Sequence, residues 1–277
     1  MSTPLHARPT MLPMIDAHVH LDKVDAKTTA DAFLQCSALR GVIAVSTDLE
    51  SCLRNRELHR ARPQLVFPAY GFHPEQAPPS REELQSLLSW MESNRDTMIA
   101  VGEVGLPYYS REEAVSRGET FDLAPYLELL EQFVIKAAEW NLPIVLHAVY
   151  DDAEPAIDLL ERHAVRKAHF HWFKGPDSAV RRMIANGYFI SVTPDIVYEA
   201  EIQTLARNYP LELMMIETDG PWPYEGPFAG QTTRPDMMAH TLQRLAEIKG
   251  RTYEETARIV YENTIRFYNL EAAAGTA

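Results

Sequence analysis

Short, continuously apolar runs alternate along this chain with longer stretches in which apolar residues recur every three or four positions. The runs fall at residues 14–19, 42–46, 65–72, 98–103, 143–147, 168–171, 188–192 and 213–217. They read as strands, because a strand covered on both faces needs no polar alternation. The stretches between them, 29–39, 49–61, 81–94, 125–140, 154–163, 178–186 and 197–208, read as helices, and 235–249 and 253–268 follow the last strand. Ser80 with Glu83 and Thr252 with Glu255 have the capping-box spacing, and Asn186-Gly187 is a helix stop. Segment 107–123 shows no period; polar, with Tyr108, Tyr109, Arg111 and Arg117, it reads as a long loop suited to a lid or substrate wall.

Strands that each lead into a helix predict an α/β fold, a (β/α)8 TIM barrel. Positions 20 and 219, near the ends of the first and last strands, lie 199 residues apart. Seven intervals of roughly 28 residues fit the size of a βαβ unit. An open doubly wound sheet shares the alternation, but its usual glycine-rich turn is missing after the first strand. No linker interrupts the pattern, so 14–270 reads as one hydrolase domain, with 1–13 a lead-in and 271–277 a tail.

Composition narrows the partners. A net charge of −13 argues against a protein that wraps a long duplex, though not against a nucleic-acid end or a small phosphate. No apolar run reaches the roughly 20 residues of a membrane span, and the lead-in lacks a signal-peptide core. Cys36 and Cys52, both in stretches read as helical, form no Cys-x-x-Cys pair. They read as reduced thiols of a cytoplasmic protein. No obligate protein partner is evident.

The chemistry collects where strands end. In a parallel barrel the C-terminal strand ends converge on one face, and that face carries the active site. Asp16-Ala17-His18-Val19-His20 projects two imidazoles to one side, suited to one cation. Glu103, in Val101-Gly102-Glu103-Val104-Gly105, has two oxygens and can bridge two metals. His147 ends the fifth run, and Ala168-His169-Phe170-His171 offers two histidines on one face. His171, nearer the strand end, is the expected ligand, with His169 one layer deeper. Asp219 can ligate a metal and take a proton from water. Glu217 reads equally as a supporting acceptor or a buried structural carboxylate. His73, in Gly71-Phe72-His73-Pro74, is expected to contact a substrate oxyanion or to cap its loop.

These segments together resemble the TatD-type metal-dependent deoxyribonucleases. The resemblance rests on Asp16-Ala17-His18-Val19-His20-Leu21-Asp22, Gly71-Phe72-His73-Pro74 and Gly102-Glu103-Val104-Gly105-Leu106. It extends through Pro143-Ile144-Val145-Leu146-His147, His171-Trp172-Phe173-Lys174-Gly175, Ile216-Glu217-Thr218-Asp219-Gly220-Pro221 and Asn263-Thr264-Ile265-Arg266-Phe267-Tyr268, in order. It implies a TIM barrel with two divalent ions, hydrolysing phosphodiester bonds, often from a 3′ end. His18, His20 and Asp219 would hold one metal, His147 and His171 the other, with Glu103 between them and His73 on the scissile phosphate.

Two positions depart from that family's pattern. Pro107 stands where the family usually has aspartate, and Ala148-Val149 follow His147 where it usually has an arginine two residues on. A guanidinium there would grip phosphate bidentately. Lys174, Arg111, Arg117 and Arg234 are candidate replacements, and Trp172, Trp222 and Tyr224 candidate stacking surfaces. The expected activity is therefore a phosphodiesterase on single-stranded nucleic-acid ends. The alternative is a metal-dependent hydrolase of a small amide, lactone or ester. Many histidines with carboxylates suit Zn²⁺ or Mn²⁺, and Mg²⁺ stays open as the working ion.

Overall fold

The computed structural model describes residues 12–24 and 30–270. The expected lead-in (apart from residues 12 and 13), the helix start at 29 and the C-terminal tail lie outside the described residues. Eight parallel strands run in chain order around one sheet: β1 (Met14–Val19), β2 (Leu39–Val45), β3 (Val66–Tyr70), β4 (Ala100–Gly105), β5 (Ile144–His147), β6 (Ala168–Phe170), β7 (Phe189–Val192) and β8 (Met214–Ile216). The first and last strands meet. The Asp219 amide donates to the His18 carbonyl at 3.0 Å, and the His20 amide to the Gly220 carbonyl at 2.8 Å. The sheet therefore curls into the barrel that the alternation predicts, rather than an open sheet.

The helices are α1 (Ala30–Phe33), α2 (Leu49–Ala61), α3 (Arg81–Ser93), α4 (Tyr108–Ser116), α5 (Ala124–Trp140), α6 (Ala153–Arg162), α7 (Asp177–Asn186), α8 (Ala200–Asn208), α9 (Met238–Lys249) and α10 (Tyr253–Tyr268). Their ends follow local chemistry. Ser80 and Glu83 form the reciprocal capping box on α3, Thr252 caps α10 from its side chain, and Gly187 closes α7 in the left-handed region. No helix among the described residues is long and apolar enough to cross a membrane.

Four readings of the sequence need correction. The stretch at 29–39 is not helical throughout: α1 ends at Phe33 and Leu39 opens β2, because Leu39 pairs with Met14 in the sheet. Cys36 accordingly sits in a turn, not a helix. The stretch at 197–208 splits into a 3-10 turn, Pro194–Val197, and α8. The supposed loop at 107–123 contains α4, in which Ala114 is the buried residue, so this helix has no apolar stripe to show a period.

Two main clusters make up the core, and a small third one of Tyr224, Phe228 and Met237 packs against Trp172. The larger lies between sheet and helices. The smaller takes alternate strand residues, Ile15 and Ala17, Ile43 and Val45, Phe67 and Ala69, Val145, Phe189 and Met215, and meets Phe267 and Tyr268 of α10. Strand alternation places that second set inside the barrel, with α10 closing the end away from the site. Gly105 is required by close approach: a Cβ there would lie 1.8 Å from the His147 carbonyl oxygen. Its missing side chain lets β4 and β5 carry Glu103 and His147 side by side.

Candidate metal centre

Glu103 is the centre of the site. It projects from β4, fully buried, and its two oxygens face different imidazoles. Oε2 lies 3.1 Å from His18 Nε2 and 3.3 Å from His20 Nε2. Asp219 Oδ1 lies 3.5 Å from each of the same two nitrogens. Oε1 lies 2.8 Å from His171 Nε2, 3.2 Å from His147 Nδ1 and 3.3 Å from His73 Nε2. Barrel closure thus gathers His18, His20, Glu103, His147, His171, Asp219 and His73 around one carboxylate.

The spacing and the unmet polarity fit a cation. Donors at about 2.1 Å from a tetrahedral ion lie about 3.4 Å from one another, the separation seen here. His18 Nε2, both Glu103 oxygens and Asp219 Oδ1 are buried without a hydrogen-bond partner of good geometry. Each such atom costs on the order of 1–3 kcal/mol unless something binds it. The groups His18, His20 and Glu103, and His73, Glu103 and His147, each bring one ligand atom per residue within 4.8 Å of the others. These residues fit a divalent metal.

Burial and neighbouring charge set the protonation. Burial alone would raise Glu103, but the imidazoles of His73, His171 and His18 hold it well below the usual carboxylate range. Burial, together with the neighbouring His171, lowers His18, so its ring stays neutral and able to ligate. Burial pushes Asp219 up to about 7, against the pull of His171 and His20. Asp219 is also held in the left-handed region at φ 45°. A non-glycine residue there costs on the order of 1–3 kcal/mol, a strain that aims its carboxylate across the barrel mouth.

The surrounding shell differs on the two sides. On the Oε2 side, Asp16 accepts from the Thr218 amide at 2.9 Å and the Thr218 hydroxyl at 2.5 Å, tying β1 to the turn that carries Asp219. On the Oε1 side, side chains form a chain through the barrel interior. Glu217 stands 3.6 Å from His171 Nδ1 and accepts from the Trp172 amide at 2.9 Å. Ser191 donates to Glu217, so its oxygen must receive from His169 Nε2 at 2.6 Å. His169 Nδ1 is then left to accept from the Tyr268 hydroxyl at 2.7 Å. His169 lies one layer below His171, and Glu217 sits between the two layers as a supporting acceptor.

The rim residues are placed less uniformly. Trp222 is 56% exposed beside Trp172, and the Lys174 ammonium lies over the Trp172 ring at 5.3 Å. Tyr224 is buried, its hydroxyl donating to the Thr218 carbonyl at 2.6 Å, so it is a packing residue and offers no stacking face. Arg111 lies 3.0 Å from the buried Asp152. Arg117 is bound to Glu113 and Glu119, and Arg234 to Asp236, at the surface. Sequence reasoning missed Glu75, Asp16, Asp152 and Ser191 as parts of the site. Glu75 and Asp16 stand two residues from His73 and His18, and that proximity was the available signal.

A family model described as TatD related DNase matches residues 15–269. An uncharacterized metal-dependent hydrolase of Haemophilus influenzae is 38% identical over 257 residues, covering 93% of this chain and 100% of the relative. Deoxyribonuclease TATDN3 of Homo sapiens is 26% identical over 268 residues, covering 92% of this chain and 94% of the relative. The crystal structure of YjjV, a TatD homologue from Escherichia coli K12, matches with a TM-score of 0.76 at 25% identity, covering 94% of this chain and 99% of that one. With the barrel, the histidine–carboxylate cluster and the sequence match agreeing over the same residues, the chain belongs to the TatD family of metal-dependent hydrolases.

Proposed function

We propose that this chain is a two-metal phosphodiesterase acting on the ends of single-stranded nucleic acid. The observation that carries the reading is the division of Glu103: Oε2 faces His18, His20 and Asp219, and Oε1 faces His147 and His171. Two divalent ions, Zn²⁺, Mn²⁺ or Mg²⁺, would supply Lewis acidity and make water a nucleophile near neutral pH. Asp219, at the mouth and next to the first set, is the group placed to take the proton from the attacking water. His73 Nε2 stands on the Oε1 side, where its N–H can donate to a phosphate oxygen. Trp222 offers an exposed ring for a base, and Lys174 supplies positive charge at the rim. The human relative named as a deoxyribonuclease supports the same class.

A second reading, hydrolysis of a small amide, lactone or ester, has one specific observation in its favour. Val149 is buried at the position where a phosphate-gripping arginine would stand, and Arg111 is engaged by Asp152. The two readings separate in one experiment. Metal-loaded protein is offered single-stranded DNA, RNA and a panel of lactones, esters and amides. Release of mononucleotides supports the first reading; carbonyl cleavage without nuclease activity replaces it with the second.

A further inference from the structure

Helix α4 begins without a cap of its own. Pro107 occupies the N-cap position and supplies no side-chain acceptor, leaving the first amides of the helix in need of one. The acceptor comes from a different loop. Glu75, two residues beyond His73, receives the Tyr109 amide on Oε1 at 2.9 Å and the Ser110 amide on Oε2 at 2.7 Å. The same Oε1 lies 3.2 Å from His147 Nε2. One carboxylate therefore holds both the first turn of α4 and a ring that faces Glu103.

We propose that Glu75 is a positioning residue that fixes the tautomer and direction of His147 and locks α4 to it. His147 turns Nδ1 toward Glu103 Oε1 at 3.2 Å. A nitrogen that ligates must be unprotonated, so the ring proton belongs on Nε2, and Glu75 is the acceptor that keeps it there. The clamp also sets the wall of the site. Tyr109, 49% exposed, stands with its ring 5.9 Å from that of His147. Wall and ligand thus share one anchor, and movement of α4 would turn His147.

The metal-affinity arm of the test rests on the two-metal reading above; the tautomer arm does not. Wild type, Glu75→Ala and Glu75→Gln are compared with Ser80→Ala, which removes the exposed side-chain cap of α3. Imidazole ¹⁵N shifts in metal-free protein, recorded at a pH high enough that His147 carries a single ring proton, should show that proton on Nε2 in wild type and a tautomer mixture in Glu75→Ala. Exchange of the Tyr109 and Ser110 amides should accelerate in the same variant. Calorimetric titration with Zn²⁺ should show one of the two equivalents weakened by about 10–100-fold and the other unchanged. Glu75→Gln keeps the size and one acceptor oxygen, and should show smaller shifts in the same direction if Glu75→Ala fails to fold. Ser80→Ala should lower only the melting temperature. If the Glu75 variants behave like Ser80→Ala, with the tautomer and both equivalents untouched, or if both equivalents weaken alike, the proposal is overturned. A wild type that binds a single equivalent would defeat the two-metal reading and leave the tautomer measurement to decide on Glu75.

Discussion

The two oxygens of Glu103 are supported in different ways. On the Oε2 side the candidate ligands stand on the barrel seam: His18, His20 and Asp219 are held by backbone hydrogen bonds between the ends of β1 and β8, locked by Asp16 on Thr218. On the Oε1 side His147 and His171 are steered by side chains, Glu75 on one and Glu217 with Ser191 and His169 on the other. The seam candidates are fixed by the same bonds that close the fold. The steered candidates depend on side-chain hydrogen bonds that take no part in closing it. A fault on the first side should therefore cost stability and metal together, and a fault on the second should cost metal more than stability.

The largest test removes the residue common to both sides. Glu103→Ala should lose turnover by on the order of 10³-fold or more, and elemental analysis should find both ions gone. Retained wild-type activity, free of contaminating nuclease, would refute the bridging role. Next in size, Asp16→Ala leaves the Thr218 amide and hydroxyl buried without their acceptor. It should destabilise the protein by about 1–3 kcal/mol in denaturant unfolding and weaken metal binding on the Oε2 side. Unchanged affinity there would break the link between seam and ligand. Ser191→Ala, on the steered side, should weaken metal binding there by roughly 10-fold with a smaller loss of stability. A stability loss matching that of Asp16→Ala would erase the contrast.

The smallest test is a pH dependence on the steered side. Burial raises Asp152 from its ordinary 3.8 to about 6, against the pull of Arg111. The folded protein then holds this proton more tightly than the unfolded chain. Its contribution to stability is full below 3.8 and lost as pH rises through 6. Asp152→Asn should flatten that part of the stability–pH curve, measured by denaturant unfolding across the window. An unaltered slope would show that another group controls it.

Much of this was legible because the signals were periodic or paired with a strand end. The pattern located all eight strands to within a few residues, and β1, α2 and α10 to the residue. Helix α4 was illegible for a physical reason: it buries little, so it shows no stripe, and its cap comes from Glu75, 34 positions before the Tyr109 amide it receives. The stacking role expected of Tyr224 failed similarly. Its neighbours in sequence do not reveal that the Thr218 carbonyl draws its hydroxyl into the interior.

The sequence by itself determined the alternation of strand and helix, and therefore one face on which the strand ends could converge. It also determined which of those ends carry nitrogen or carboxylate donors, because a side chain's chemistry and its place at a strand end are local facts. Only the tertiary structure decided which oxygen of Glu103 each imidazole meets, which arginines are spent on carboxylates, and that Glu75 binds His147 and α4 at once. Those depend on how far the closing barrel turns each strand and which distant loops it brings together, distances set by packing rather than by any neighbour in the chain.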